Sequence, residues 1–258
     1  MTTPLPPRLP RPAAELRRAE QRYRSTAEGI ESRHVFSFGA HYDPDNVGHG
    51  ALLVANDETL LAGRGFDDHP HADAEICTWV LSGSLLHRDS TGHSGIVVPG
   101  LAQRMSAGSG IVHAERNDAF QLGHLGGHDP GLPAVPVHFV QMWLRPDLAG
   151  GQPSYEQQEL DLAELIRGWR PVASGQHPDA AVRLGSRGST LWVTVLGPGV
   201  RRELPTGALA HLYLARGEAE LEGVGTLAAG DSVRITGEAP LAVTGRVYAE
   251  VLLWTMAT

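Results

Sequence analysis

The sequence predicts an all-β protein made of two tandem antiparallel β-barrels of jelly-roll type. Three observations carry this. Short β-like runs alternate with turn residues along most of the 258-residue chain. Glycine (31) and proline (18) are abundant, as expected of many tight turns rather than long helices. The second half also repeats the punctuation of the first. Val80-Leu81-Ser82-Gly83 followed by Val98-Pro99-Gly100 matches Leu214-Ala215-Arg216-Gly217 followed by Ala228-Ala229-Gly230-Asp231. A repeat of this length is the mark of duplicated supersecondary structure.

Taken in order, residues 4–12 are proline-rich and read as an extended tail, and 13–24 (AAELRRAEQRYR) as a short charged helix. Residues 1–31 together are expected to form a mobile N-terminal extension. From Ser32 the chain offers candidate strands at 50–55 (GALLVA), 76–81 (ICTWVL), 95–98 (GIVV), 110–112 and 137–144 (VHFVQMWL). Asn56-Asp57, Ser82-Gly83, Pro99-Gly100 and Gly108-Ser109-Gly110 are the expected breaks. These residues make a first domain, 32–145. Residues 146–175 read as a linker with a short helix within 155–169, its stripe formed by Leu162, Leu165 and Ile166. The second domain, 176–258, has strands at 191–196 (LWVTVL), 210–215, 219–221, 232–235 and 248–254 (YAEVLLW).

Composition excludes several functions. Lys and Arg total 21 against 29 Asp and Glu, a formal charge of −8, which disfavours direct nucleic-acid contact. No apolar run approaches the ~20 residues of a membrane span. The N-terminal residues lack the apolar region of a signal peptide, so a cytoplasmic location is expected. The single cysteine, Cys77, fits a reducing compartment and reads as a small buried apolar group.

Histidine is the outlier. Eleven of 13 lie between His34 and His138. His69-Pro70-His71 places two imidazoles at i and i+2, on one face of a strand, and His113-Ala114-Glu115 repeats that spacing with a carboxylate. Two such pairs on neighbouring strands can hold a divalent transition metal with positions left open. Glu75, four residues after His71, shares strand parity with 69 and 71 and competes with Glu115 for the carboxylate role. Elsewhere, His87, His93, His124 and His128 read as solvated loop residues, and His34 and His41 as packed or surface residues. Met142 and Trp143 read as core or pocket wall. The position equivalent to His113 in the second repeat is Val243, and no histidine follows His211. The second barrel is therefore expected to bind no metal.

Beyond spacing, these residues resemble the pirin family of bicupins. The segments that carry the resemblance are His69-Pro70-His71-Ala72-Asp73-Ala74-Glu75, Val80-Leu81-Ser82-Gly83, His87-Arg88-Asp89-Ser90 and Met105 through Glu115 (MSAGSGIVHAE). Phe36-Ser37-Phe38, Tyr42-Asp43-Pro44, Gln141-Met142-Trp143 and Pro153-Ser154-Tyr155-Glu156-Gln157 also match. The resemblance is densest over 32–139, continues weakly to the end, and is nearest the bacterial quercetinase-like pirins. It implies two cupin domains, and metal ligands at His69, His71, His113 and Glu115. Glu75 then becomes a pocket residue able to orient an imidazole, and Glu115 with Glu75 the catalytic carboxylates. The implied cofactor is one divalent ion: iron first, with copper, nickel, manganese or zinc as alternatives. The implied activity is quercetin 2,3-dioxygenase-like ring cleavage of a flavonol-like phenolic by O2, with loss of carbon monoxide. A metal-binding, redox-responsive regulator acting through protein partners is the alternative.

Overall fold

The computed structural model describes residues 13–119, 134–238 and 240–258. The first half contributes β1 (Ala13–Arg17), β2 (Tyr23–Ala27), β3 (Ile30–His34), β4 (Leu52–Leu60), β5 (Gly65–His71) and β6 (Glu75–Ser82). It continues with β7 (Leu85–Asp89), β8 (Ser94–Val97), β9 (Leu101–Ser106), β10 (Ile111–Arg116), β11 (Val137–Leu144) and β12 (Ser154–Glu159). The one α-helix among the described residues, α1 (Leu162–Arg167), leads to β13 (Arg170–Ser174), β14 (Val182–Arg183), β15 (Ser189–Leu196), β16 (Arg201–Glu203) and β17 (Leu209–Arg216). The last strands are β18 (Glu218–Leu221), β19 (Gly225–Ala228), β20 (Ser232–Thr236), β21 (Ala242–Gly245) and β22 (Ala249–Met256).

These strands form two sandwiches of one design. The first pairs a seven-stranded sheet, β12-β9-β6-β11-β4-β3-β2, with a four-stranded sheet, β5-β10-β7-β8. The second pairs β1-β20-β17-β22-β15-β13-β14 with β16-β21-β18-β19. The repeat seen in the sequence has a backbone cause. Gly83 and Gly217 have φ of +76° and +77°, and Gly100 and Gly230 both have +88°. A Cβ at Gly217 would lie 1.7 Å from the Tyr248 carbonyl oxygen, so this turn admits only glycine. The molecule is a bicupin.

The two seven-stranded sheets pack against each other. Cys77, Trp79, Leu81, Val140 and Met142 from the first domain join Leu191, Val193, Leu252 and Trp254 from the second in one core. The Trp79 indole donates to Glu250 Oε1 across this seam at 2.7 Å, and Arg216 pairs with the same carboxylate at 3.2 Å. Cys77 is buried there, facing the partner domain rather than its own barrel, and burial pushes its thiol pKa up. The second barrel is filled by leucine and valine, with Val243 among them at the position that repeats His113.

Three expectations are corrected. The described part of the N-terminal extension is helical only in one 3-10 turn, Ala19–Gln21, and is not loose. β1 adds to the edge of the second domain's sheet through β20, and β2 adds to the first domain's sheet through β3. Between them Arg18 and the Ala19 amide bond to the buried Asp231 at 2.7 and 2.8 Å. Backbone pairing at a sheet edge and this buried carboxylate outweigh the helix propensity of an isolated charged segment. Residues 146–175 are likewise no linker: β12 closes the first large sheet beside β9, and β13 enters the second beside β15. The helix between them is shorter than its apolar stripe suggests, burying Leu165 while Leu162 and Ile166 stay exposed. Finally, Asn56-Asp57 lies inside β4 instead of ending it. Both side chains find partners there, Asn56 with His34 and Asp57 with His138 and Tyr213, which offsets their turn preference. No helix of the described residues is long and apolar enough to cross a membrane.

Candidate metal centre

His69 and His71 project from β5 of the four-stranded sheet, and His113 stands on β10 directly opposite His69. The three imidazoles converge. Ring centroids lie 4.4 Å apart for His69 and His113, 4.8 Å for His69 and His71, and 4.9 Å for His71 and His113. One ligand nitrogen from each falls within 4.8 Å of the others.

The protonation states suit cation binding. Burial, reinforced by the neighbouring imidazole, lowers the pKa of His71 to about 4. Burial and the surrounding imidazoles lower that of His113 to about 2. Both are therefore neutral at pH 7, with lone pairs available. His69 Nδ1 donates to the Asp67 carbonyl at 2.7 Å, which leaves Nε2 as the free acceptor. His71 Nε2 and both ring nitrogens of His113 are buried without a protein hydrogen-bond partner. Orphaned buried nitrogens of this kind are costly unless something else engages them. Three convergent imidazoles, with His71 and His113 held neutral by burial, beside a carboxylate fit a divalent transition metal.

Glu115 follows His113 along β10, with a register shift between the two in the pairing to β5. Its carboxylate, 1% exposed, accepts from Gln141 Nε2 at 2.5 Å and lies 3.5 Å from Thr78 Oγ1. Trp143 Nε1 donates to Gln141 Oε1 at 3.0 Å, which fixes the amide so that its NH2 faces Glu115. Burial raises the Glu115 pKa to about 7. The carboxylate clusters with His113 and His87 rather than with all three convergent imidazoles.

Glu75 does not share this pocket. Asp73, at φ +50°, turns the chain between β5 and β6, so the strand parity expected from 69 to 75 is broken. Glu75 has the parity of Cys77, Trp79 and Leu81, which face the other domain. It accepts from Ser106 Oγ at 2.8 Å and from the Gly185 amide at 3.0 Å, spanning the domain seam.

His87 departs from expectation in the opposite sense. It is fully buried on β7, its ring 5.4 Å from that of His113 and stacked on Tyr155 at 4.8 Å. Its Nε2 lies 3.3 Å from Asp89 Oδ2, and desolvation lowers its pKa. Glu115 stands opposite it in the β7–β10 ladder, a pairing that the local sequence does not show. His93 is half exposed, as a loop residue should be, and also stacks on Tyr155, its ring 5.4 Å away. His34 is buried, and Trp143 stands edge-on to His71 at 4.6 Å. His124 and His128 lie outside the described residues.

His69 and His71 line a cavity of about 340 Å³ inside the first barrel. Phe38, Phe66 and Trp143 supply aromatic walls, and Ser32, Asn56 and Glu58 a polar one. That combination suits a planar, hydroxylated small molecule.

Comparison with known proteins gives the same family as these residues do. The Pirin family profile matches residues 16–144. "Putative quercetin 2,3-dioxygenase Rv0181c" of Mycobacterium tuberculosis is 48% identical over 243 residues, 94% of either chain. The protein of Escherichia coli K12 named quercetin 2,3-dioxygenase is 30% identical over 242 residues, covering 93% of this chain and 97% of its own. The crystal structure of the E. coli bacterial pirin YhhW in complex with nickel(II) superposes with a TM-score of 0.83 at 29% identity. That match spans 95% of this chain and 100% of the other. The chain belongs to the pirin family.

Proposed function

We propose that this protein is a metal-dependent dioxygenase that cleaves the ring of flavonol-like phenolics with O2. His69, His71, His113 and Glu115 are the proposed ligands, and iron the first candidate, with nickel next because a related structure carries it. The observation that carries the reading is three convergent imidazoles with partnerless ring nitrogens, two of which, His69 and His71, line an aromatic-walled cavity. When bound, such an ion supplies Lewis-acid polarisation of a substrate oxygen and a route for electrons between substrate and O2.

The chain's own residues supply the rest. Phe38, Phe66 and Trp143 bind a planar ring system and exclude water from it. Glu115, poised near neutral pH by burial, can take the hydroxyl proton of the substrate onto its carboxylate. Gln141 then holds that group in place, and Trp143 holds Gln141. The test is aerobic incubation of metal-loaded protein with quercetin, following oxygen uptake and carbon monoxide release. Stoichiometric release is the expected result. A loaded protein that consumes neither quercetin nor oxygen would refute it.

A further inference from the structure

The polar wall of the cavity has an internal order. In the ladder of the seven-stranded sheet, Ser32 lies opposite Glu58 and Glu58 opposite Phe139, one row from His34, Asn56 and Gln141. Glu58 is 3% exposed, and among the described residues it is the one carboxyl that lines the cavity. Its Oε2 accepts from Ser32 Oγ. No cation is among the groups that act on it. His69 and His71 stand on the facing four-stranded sheet.

Ser32 and Asn56 give this carboxyl hydrogen-bond partners, but no charge partner offsets its burial. A leucine would fill the space without the desolvation cost of a buried acid. Burial raises the Glu58 pKa to about 8, and the nearby Asp57 and Glu115 charges push in the same direction. The group is thus neutral at pH 7, able both to give and to take a hydrogen bond, as a phenolic hydroxyl does.

We propose that Glu58, backed by Ser32, determines specificity by hydrogen-bonding a ligand hydroxyl on the wall opposite His69 and His71. It thereby selects planar aromatics that carry hydroxyl groups at both ends. This inference rests on the reading of the cavity as the substrate site.

Two flavonols test it: quercetin, and the analogue that lacks both hydroxyls on its pendant ring. Binding to the metal-loaded full chain is read by tryptophan fluorescence quenching, and turnover by oxygen uptake. The wild type is expected to bind quercetin about tenfold more tightly than the analogue, the effect of one buried hydrogen bond. Glu58→Leu should bring the two within about twofold, by weakening quercetin and sparing the analogue. Glu58→Met should do the same if the leucine does not pack. Glu58→Gln, whose amide also gives and takes a hydrogen bond, should keep most of the preference. A wild type that does not separate the flavonols would overturn the proposal, and so would an apolar variant that separates them as the wild type does. Quercetin bound with this preference but never oxidised would refute the dioxygenase reading and leave the specificity role standing. Turnover with the preference intact in Glu58→Leu would do the reverse.

Discussion

His113 faces His69 across the β5–β10 ladder, with their rings 4.4 Å apart, and the same ladder carries His71 opposite Ile111. Two i, i+2 pairs on neighbouring antiparallel strands therefore bring three imidazoles together through backbone register alone. The ring nitrogens left without partners are the residue of that convergence.

Glu75 and Glu115 should behave differently. Glu115→Gln should weaken metal retention, measured by dialysis against a chelator. Glu75→Gln should leave metal content and turnover unchanged. It should lower stability by about 1–2 kcal/mol, because a hydrogen-bonded carboxylate is lost at the domain seam. A metal-poor Glu75→Gln protein would place that residue back in the site.

His87 should matter although it stands behind the three convergent rings. His87→Ala removes the ring packed between His113 and Tyr155. Roughly tenfold weaker metal binding is expected, the scale seen when a residue supporting a metal ligand is lost. Competition titration with a chromophoric chelator gives the number, and unchanged affinity would make His87 mere filling.

The sequence exposed much of this, for definable reasons. The strand pairs carrying His69, His71, His113 and Glu115 were legible because side-chain parity within one strand is fixed. Parity failed at Glu75 because Asp73 adopts a left-handed conformation, which a non-glycine residue does not advertise. The roles of His87, Glu58 and β1 depend on which strand lies beside which. Register between distant segments, such as β1 with β20, has no local signature. The repeat was visible because its turns demand glycine at Gly83 and Gly217.

The pH dependence of stability should carry the signature of Glu58. Its folded pKa, about 8, lies above the ordinary value of 4.5, so the native state holds this proton more tightly than the unfolded state. Its contribution is fully present below pH 4.5 and is lost as pH rises through 8. In metal-free protein, Glu58→Gln should therefore gain on the wild type as pH rises from 5 to 8, by an amount on the order of a few kcal/mol. Urea denaturation at a series of pH values measures it. Parallel curves for the two proteins would show that the carboxyl ionises freely in the fold.

The domains should not separate. One core joins the two large sheets, and β1 to β2 and β12 to β13 cross between them. Thermal unfolding should be a single transition, with calorimetric and van't Hoff enthalpies equal. A chain cut after Gly175 would expose Trp79, Leu81 and Val140 and leave β13 without β15. It should aggregate or release metal, and a soluble, metal-loaded fragment would show that the second barrel is dispensable.

His69, His71, His113 and Glu115 are proposed to hold one divalent ion. Metal analysis of purified protein after loading with iron(II) or nickel(II) and exhaustive desalting tests it most directly. The wild type should retain about one ion per chain. The double variant His69→Ala/His113→Ala, folded by circular dichroism, should retain essentially none, because two of three convergent imidazoles are gone. Full occupancy in that variant would place the ion elsewhere in the molecule.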